Sequence, residues 1–115
     1  MSIRITTDTL EQAYELLKFT EPFKRWKLPH LDEVVFSVFG GRNRGEFYVE
    51  NGTPVIGVSD KCHHTLEEML KTLAHEMCHL REHQLGVRRD VQHGKLFNEY
   101  ADKVCKAHQW DRGAF

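Results

Sequence analysis

The sequence lacks long apolar runs and contains few cysteines. No stretch approaches the roughly 20 consecutive apolar residues of a transmembrane helix, and residues 1–5 do not begin the apolar core of a secretory signal peptide. Its three cysteines are too few and too scattered for a disulfide framework or an all-cysteine zinc site. Isolated thiols are typical of a reducing compartment. We therefore expect a cytoplasmic protein with no membrane partner.

The sequence also has no excess of charge of one sign. Lys and Arg together number 16 and Asp and Glu number 17, which gives a formal net charge of −1. This balance provides no global attraction to nucleic acid, so intrinsic nucleic-acid binding is unsupported by charge. No repeat, low-complexity segment or linker is evident. A chain of 115 residues suits one domain, which we expect to span residues 1–115.

Three strands are predicted in the middle of the chain. Residues 34–39 are β-branched and aromatic, residues 46–50 alternate polar and apolar side chains, and residues 55–58 are again β-branched. A glycine-rich loop at 40–45 joins the first two strands, and Asn51-Gly52 is a strong hairpin signal between the last two. These short connections predict a three-stranded antiparallel meander.

Helices are predicted before and after the strands. Asp8 and Glu11 form a capping-box signature for a helix from about Thr9 to Phe19. A short helical turn is expected at 23–26, and a final helix from about Gly94 to Trp110. The element order predicts an α+β domain with an N-terminal helix, a small sheet and two further helices.

The helix after the strands has the clearest pattern. Thr65 and Glu68 form a second capping box, and the helix should run to about Leu85. One apolar stripe is expected along it: Leu66, Leu70, Leu73, Met77 and Leu80. His75 and His79 lie on the opposite side, so one face can pack on the sheet while the other presents polar side chains to a cleft.

This helix contains the sequence HEMCH at residues 75–79. His75 and His79 are four residues apart, so on a helix they project from one face within reach of a single metal ion. Glu76 follows the first histidine and can act as a general base on water at such a site. The motif predicts hydrolysis that depends on one catalytic Zn²⁺ ion.

A third ligand is required because catalytic zinc normally takes three protein ligands. His83 continues the spacing but lies about 12 Å along the helix axis from His75, too far to share an ion with it. His93 is the better candidate, since it follows a connector long enough to reverse the chain. Gly94 permits close backbone approach, and Phe97 can anchor the last helix in the core.

Together, HEMCHL and HGKLF resemble the paired motifs of the SprT-like zinc metallopeptidases, which include the Spartan and Wss1-like proteases. The resemblance covers about residues 54 to 105. It implies a minimal zincin-like domain in which His75, His79 and His93 are zinc ligands and Glu76 is the catalytic base. It also implies a protein or peptide substrate, which in zincins pairs with an edge strand, here about residues 46–50.

Two alternatives remain open. Asn98, Glu99 and Asp102 resemble the Asn-Glu-x-x-x-Asp element of thermolysin-type peptidases, in which the glutamate is the third ligand, although Asp102 is one residue short of that spacing. The second alternative is a non-catalytic zinc-stabilised interaction or regulatory module. The intact Glu76 argues against it, because a purely structural zinc site needs no base.

Several further residues are weaker candidates. Five side chains could stabilise a developing oxyanion, and the sequence does not choose among Tyr48, Arg88, Arg89, Tyr100 and His108. Asp102 is a candidate acceptor for a ligand N–H. Cys78 is expected to be buried, and Cys62-His63-His64 to be a loop without function. Residues 40–45, with Arg42 and Arg44, form either a flap over the cleft or an ordinary exposed turn.

Overall fold

The computed structural model describes residues 4–87 and 93–115. Its helices and strands follow the predicted order: α1 (Thr7–Lys18), β1 (Val35–Phe39), β2 (Gly45–Glu50), β3 (Thr53–Ser59), α2 (Leu66–Gln84) and α3 (Lys95–His108). Short 3-10 turns occupy Phe23–Arg25, Leu31–Glu33 and Arg112–Ala114. The predicted α+β class is confirmed. No helix in the two described ranges is both long enough and apolar enough to cross a membrane.

The sheet is mixed, so the predicted antiparallel meander is wrong. Strand β3 lies in the centre, antiparallel to β2 and parallel to β1. The predicted hairpin between β2 and β3 is present, and Asn51 and Gly52 turn it with positive φ angles of 52° and 80°. Because Val55 to Ser59 are all buried, β3 suits the centre of the sheet, where both faces are covered. Strands β1 and β2 therefore form the two edges.

The connection between β1 and β2 explains why the strands are not neighbours. Residues 40–44 cross the end of β3, a distance of two strand spacings or about 10 Å, which five residues can span. The Ser59 amide donates to the Arg44 carbonyl at 2.8 Å, and the Asp60 amide donates to the Phe39 carbonyl at 2.9 Å. These bonds hold the crossing loop at the end of the central strand.

The two predicted capping boxes have different outcomes. At α2 the box is present: the Glu68 amide donates to Thr65 Oγ1, and the Thr65 amide donates to Glu68 Oε1, both at 3.1 Å. At α1 the predicted cap is wrong, because Thr6 has the extended backbone of an N-cap and accepts from the Thr9 amide at 3.1 Å. Asp8 lies instead in the first turn, where its charge favours the helix dipole.

Helix α2 is buried on more sides than its apolar stripe predicted. Leu73, Met77 and Leu80 are fully buried and Leu70 is half-buried, but Leu66 is 55% exposed. Four polar side chains on other faces are also buried: Thr72, Glu76, His79 and Glu82. The sheet, α1 and α3 all contact α2, and this enclosure explains why its polar face is not simply solvated.

Strand β2 approaches α2 most closely at Gly45. A Cβ atom at this position would lie 2.7 Å from Thr72 Cγ2, 2.9 Å from Glu76 Oε2 and 3.1 Å from the Gly57 carbonyl oxygen. Such distances are shorter than ordinary van der Waals contact, so only glycine fits without displacement. The absence of a side chain at Gly45 thus brings the start of the edge strand onto the Glu76 carboxylate.

We predict that Gly45→Ala destabilises the protein by about 1–3 kcal/mol, since the added methyl group overpacks the contact between β2 and α2. Urea unfolding followed by circular dichroism measures this change. Gly40→Ala is the matched control, because a Cβ there would meet its nearest neighbour at an ordinary 3.5 Å. Equal stability of the two variants would contradict the close approach at Gly45.

Candidate metal centre

Three histidines from two parts of the chain meet beside α2. His75 and His79 lie one turn apart on α2, and His93 lies just before α3. One ring nitrogen from each lies within 4.8 Å of the others, and His75 Nε2 is 3.2 Å from His93 Nε2. The structure therefore brings together the three histidines that the two sequence motifs singled out.

The chemistry and spacing of this group fit a metal ion. Imidazole nitrogen is a preferred ligand for zinc, and two nitrogens on one tetrahedral zinc lie about 3.4 Å apart, given Zn–N bonds of about 2.0–2.1 Å. The His75–His93 separation of 3.2 Å is close to that value, and all three ring nitrogens lie within 4.8 Å of one another. These three histidines could therefore hold one metal ion. They are the group of possible metal ligands found among residues 4–87 and 93–115.

A buried carboxylate orients the second histidine. His79 Nδ1 lies 3.0 Å from Glu82 Oε1, and both side chains are almost completely buried. A carboxylate only accepts hydrogen bonds, so Nδ1 donates and Nε2 is left to face the other histidines. Glu82 was not predicted from the sequence, and Asp102, the predicted candidate acceptor, instead pairs with Arg112 at 2.9 Å. A glutamate three residues after His79 was the available signal.

Phe97 packs against all three histidine rings. Its ring centroid lies 4.9 Å from that of His75, 4.5 Å from that of His79 and 4.4 Å from that of His93. Phe97 is only 1% exposed, which confirms that it anchors α3 in the core. The same side chain thus positions the last helix and forms an apolar wall beside the imidazoles.

Glu76 lies in the cleft that the histidines line. Its side chain is 5% exposed, and the cleft has a volume of about 560 Å³. Strand β2 forms one wall and α2 another, and the lining residues are Asn43, Arg44, Gly45, Glu46, Phe47, Tyr48, Lys71, Thr72, His75, Glu76, His79, His93, Ala114 and Phe115. A carboxylate, three imidazoles and an edge strand therefore share one cleft.

The candidate oxyanion donors that the structure describes lie in different parts of the protein. Tyr48 lines the cleft, whereas Tyr100 packs on Trp26 with ring centroids 4.7 Å apart. The His108 ring lies within hydrogen-bonding distance of the Thr20 hydroxyl, at 3.1 Å. Arg88 and Arg89 lie outside the described residues. Of the described candidates, Tyr48 is the one that lines the cleft.

The remaining candidate ligands lie elsewhere in the structure. The group that could hold a metal ion among the described residues contains neither His83 nor Glu99. The His83 ring lies near Phe47, and Glu99 is exposed. Cys78 is fully buried, as predicted, and burial raises the pKa of its thiol well above the usual value. A thiol in that environment stays protonated and is a poor metal ligand.

His63 has a structural role that was not predicted from the sequence. It is buried, with Nδ1 2.8 Å from the Ser59 carbonyl oxygen and Nε2 2.7 Å from Thr72 Oγ1. Since a carbonyl only accepts, Nδ1 donates to Ser59. This side chain joins the end of β3 to the face of α2 that lies beside Gly45.

The environment of His75 favours the neutral imidazole. Burial, followed by the charge of His93, lowers the pKa of His75 to about 4, although a hydrogen bond with the Phe115 backbone opposes the shift. Metal ligation requires the neutral ring. His75 therefore needs no deprotonation near neutral pH to bind a metal ion.

We predict that the metal-free protein loses stability as the pH falls from about 6.5 to about 4. The folded state resists protonation of His75 in this window, while the unfolded chain, with a histidine pKa of about 6.5, takes up the proton. His75→Gln should reduce this loss by about 1–3 kcal/mol in urea unfolding with a chelator present. His30→Gln, which changes an exposed histidine, serves as the control and should leave the loss nearly unchanged.

The chain matches a known protein family. No curated protein matches the chain. Among protein families, the SprT-like family matches residues 13–112 of the 115 residues. This range includes all of the sheet, α2 and α3 and therefore the three histidines and Glu76. The chain belongs to the SprT-like family.

Proposed function

We propose that this protein is a zinc-dependent endopeptidase in which His75, His79 and His93 bind the metal and Glu76 is the general base. The observation that carries the proposal is the grouping of three imidazole nitrogens within 4.8 Å in the cleft that also holds the Glu76 carboxylate. Membership of the SprT-like family, whose members are usually metalloprotease-like, supports it.

The protein side chains would divide the chemistry among them. Zinc, when bound, would polarise the scissile carbonyl and make water nucleophilic near neutral pH. Glu76 would take the proton from the attacking water and pass it to the leaving amine. Burial of Glu76 and its contact with the start of β2 hold the carboxylate at the edge of the cleft. Glu82 would keep His79 in the required orientation through Nδ1.

Tyr48 is the residue that we assign to the developing oxyanion. Its side chain lines the cleft and its hydroxyl is a hydrogen-bond donor. Tyr100 and His108 have partners elsewhere in the fold. A phenol that donates to the carbonyl oxygen as charge develops would lower the barrier to hydrolysis.

The substrate is proposed to bind as an added strand along β2. This strand forms an edge of the sheet, with β3 as its neighbour, and residues 45–48 line the cleft beside α2. The unpaired side of an edge strand offers backbone donors and acceptors to an extended peptide. Arg44, at the end of the crossing loop, lies at the same wall. This geometry favours an unfolded or extended protein segment as substrate.

We predict that Glu76→Gln abolishes most peptide-bond hydrolysis but retains the metal. Loss of a general base typically costs about 10²–10⁴-fold in rate, while the three histidines are unchanged. Cleavage of an unfolded protein such as casein, with one equivalent of zinc, measures the activity. Equilibrium dialysis followed by metal analysis measures bound zinc. Glu67→Gln, an exposed substitution on the same helix, should keep both properties.

Two outcomes would contradict this assignment. One is a Glu76→Gln variant that cleaves as fast as the unchanged protein. The other is an unchanged protein that shows no zinc-dependent cleavage although zinc raises its melting temperature. The second result would favour the non-catalytic zinc-stabilised module.

A separate prediction concerns the third ligand. His93→Ala should reduce bound zinc at micromolar metal concentrations to well below one equivalent, whereas Glu99→Ala should keep one equivalent. The reason is that His93 lies within the imidazole group and Glu99 is exposed on α3. Equilibrium dialysis of both variants at the same free zinc concentration provides the comparison. Retained zinc in His93→Ala with loss in Glu99→Ala would favour the thermolysin-like alternative.

A further inference from the structure

Arg112 joins the turn after α3 to the first and middle turns of that helix. Its Nε donates to Asp102 Oδ1 at 2.9 Å, and its Nη2 donates to Asn98 Oδ1 at 2.6 Å. Asn98 and Asp102 are one helical turn apart, so their oxygens face the guanidinium group together. Because Asn98 Oδ1 accepts from Arg112, the amide nitrogen of Asn98 must point the other way.

The Asn98 amide nitrogen is directed at the backbone of His93. Nδ2 donates to the His93 carbonyl and to the Gly94 carbonyl, each at 3.0 Å. Gly94 is the N-cap of α3 and has no side chain with which to fix this end of the helix. The Asn98 side chain therefore restrains the backbone that carries the third histidine.

We propose that Arg112 and Asn98 are positioning residues for His93, and that they hold its imidazole ready to bind the metal. The inference rests on the proposed zinc site. His93 is exposed. Its backbone carbonyl is fixed from the helix side by Asn98, whose orientation is set by Arg112.

The same turn also touches the first histidine. The Phe115 ring centroid lies 5.4 Å from that of His75. The segment from Arg112 to Phe115 thus contacts one proposed ligand directly and restrains another through Asn98. This arrangement suits a segment that sets the spacing of the ligands.

A positioning role for Arg112 and a role in folding stability predict effects of different size on zinc affinity. The Arg112 and Asp102 side chains are 39% and 69% exposed, and exposed ion pairs contribute little to folding stability. Hydrogen bonds that orient metal ligands have larger effects on the metal, about 10–100-fold in affinity. Loss of Arg112 should therefore change zinc affinity far more than the melting temperature of the metal-free protein.

A purely electrostatic effect of Arg112 would change zinc affinity in the opposite direction. Removal of a cation near a Zn²⁺ site reduces electrostatic repulsion and should strengthen zinc binding. A positioning role predicts that Arg112→Ala weakens binding in spite of this effect. The direction of the change therefore distinguishes the two roles.

Zinc affinity measured by competition with a chromogenic chelator tests the proposal. We expect Arg112→Ala and Asn98→Ala each to weaken zinc binding about 10-fold or more. The double variant should be little weaker than either single one, because both act through one contact. Arg112→Lys, which retains a donor, should restore part of the affinity. Lys103→Ala, which removes an exposed cation of α3, should bind zinc like the unchanged protein.

Each result has a defined meaning. Zinc affinities of Arg112→Ala and Asn98→Ala within about twofold of the unchanged protein, or tighter, would overturn the positioning role while leaving the zinc site intact. Additive losses of zinc affinity in the double variant would also overturn the proposal that Arg112 acts on His93 through Asn98. If the unchanged protein binds no zinc, the proposed function itself fails, and the positioning role of Arg112 and Asn98 fails with it. The melting temperature of each metal-free variant confirms that it is folded.

Discussion

Helix α2 carries several buried polar side chains, Glu76 and His79 among them, through the interior of the protein. A polar group buried without a partner costs several kcal/mol, so such a helix needs partners on each side. Glu82 provides one for His79, at 3.0 Å, and His63 provides one for Thr72, at 2.7 Å. These contacts allow the sheet, α1 and α3 to enclose α2. Its histidines are thereby fixed by packing and hydrogen bonds together.

Enclosure of α2 also determines the electrostatics of the cleft. Phe97 covers one side of the imidazoles, and the missing side chain at Gly45 lets β2 close on Glu76. Water is partly excluded, which lowers the pKa of His75 to about 4 and strengthens electrostatic interactions in the cleft. The same packing that stabilises the fold thus favours the neutral imidazole of His75 and places the Glu76 carboxylate in the same cleft.

A feature of the structure can be predicted from the sequence when the interaction that produces it joins residues close together in the chain. The helix with its Thr65 capping box, the Asn51-Gly52 turn and the grouping of His75 with His79 depend on residues within four positions, and all were predicted. The place of β1 depends on which strand is most buried, so the meander prediction was wrong. The sequence pattern includes Asn98 only as part of a possible ligand motif, because the hydrogen bond that orients its side chain comes from Arg112, 14 residues further on.

The rotation of α3 about its axis accounts for the contrast between the two candidate third ligands. Phe97 faces the histidines, and Glu99 follows two residues later, about 200° around the helix. A helix that packs Phe97 in the core must therefore direct Glu99 to solvent, as observed. Contact of Glu99 with His75 and His79 would require α3 to rotate by about half a turn and expose Phe97. Burial of one phenylalanine thus selects the residue that joins the pair on α2.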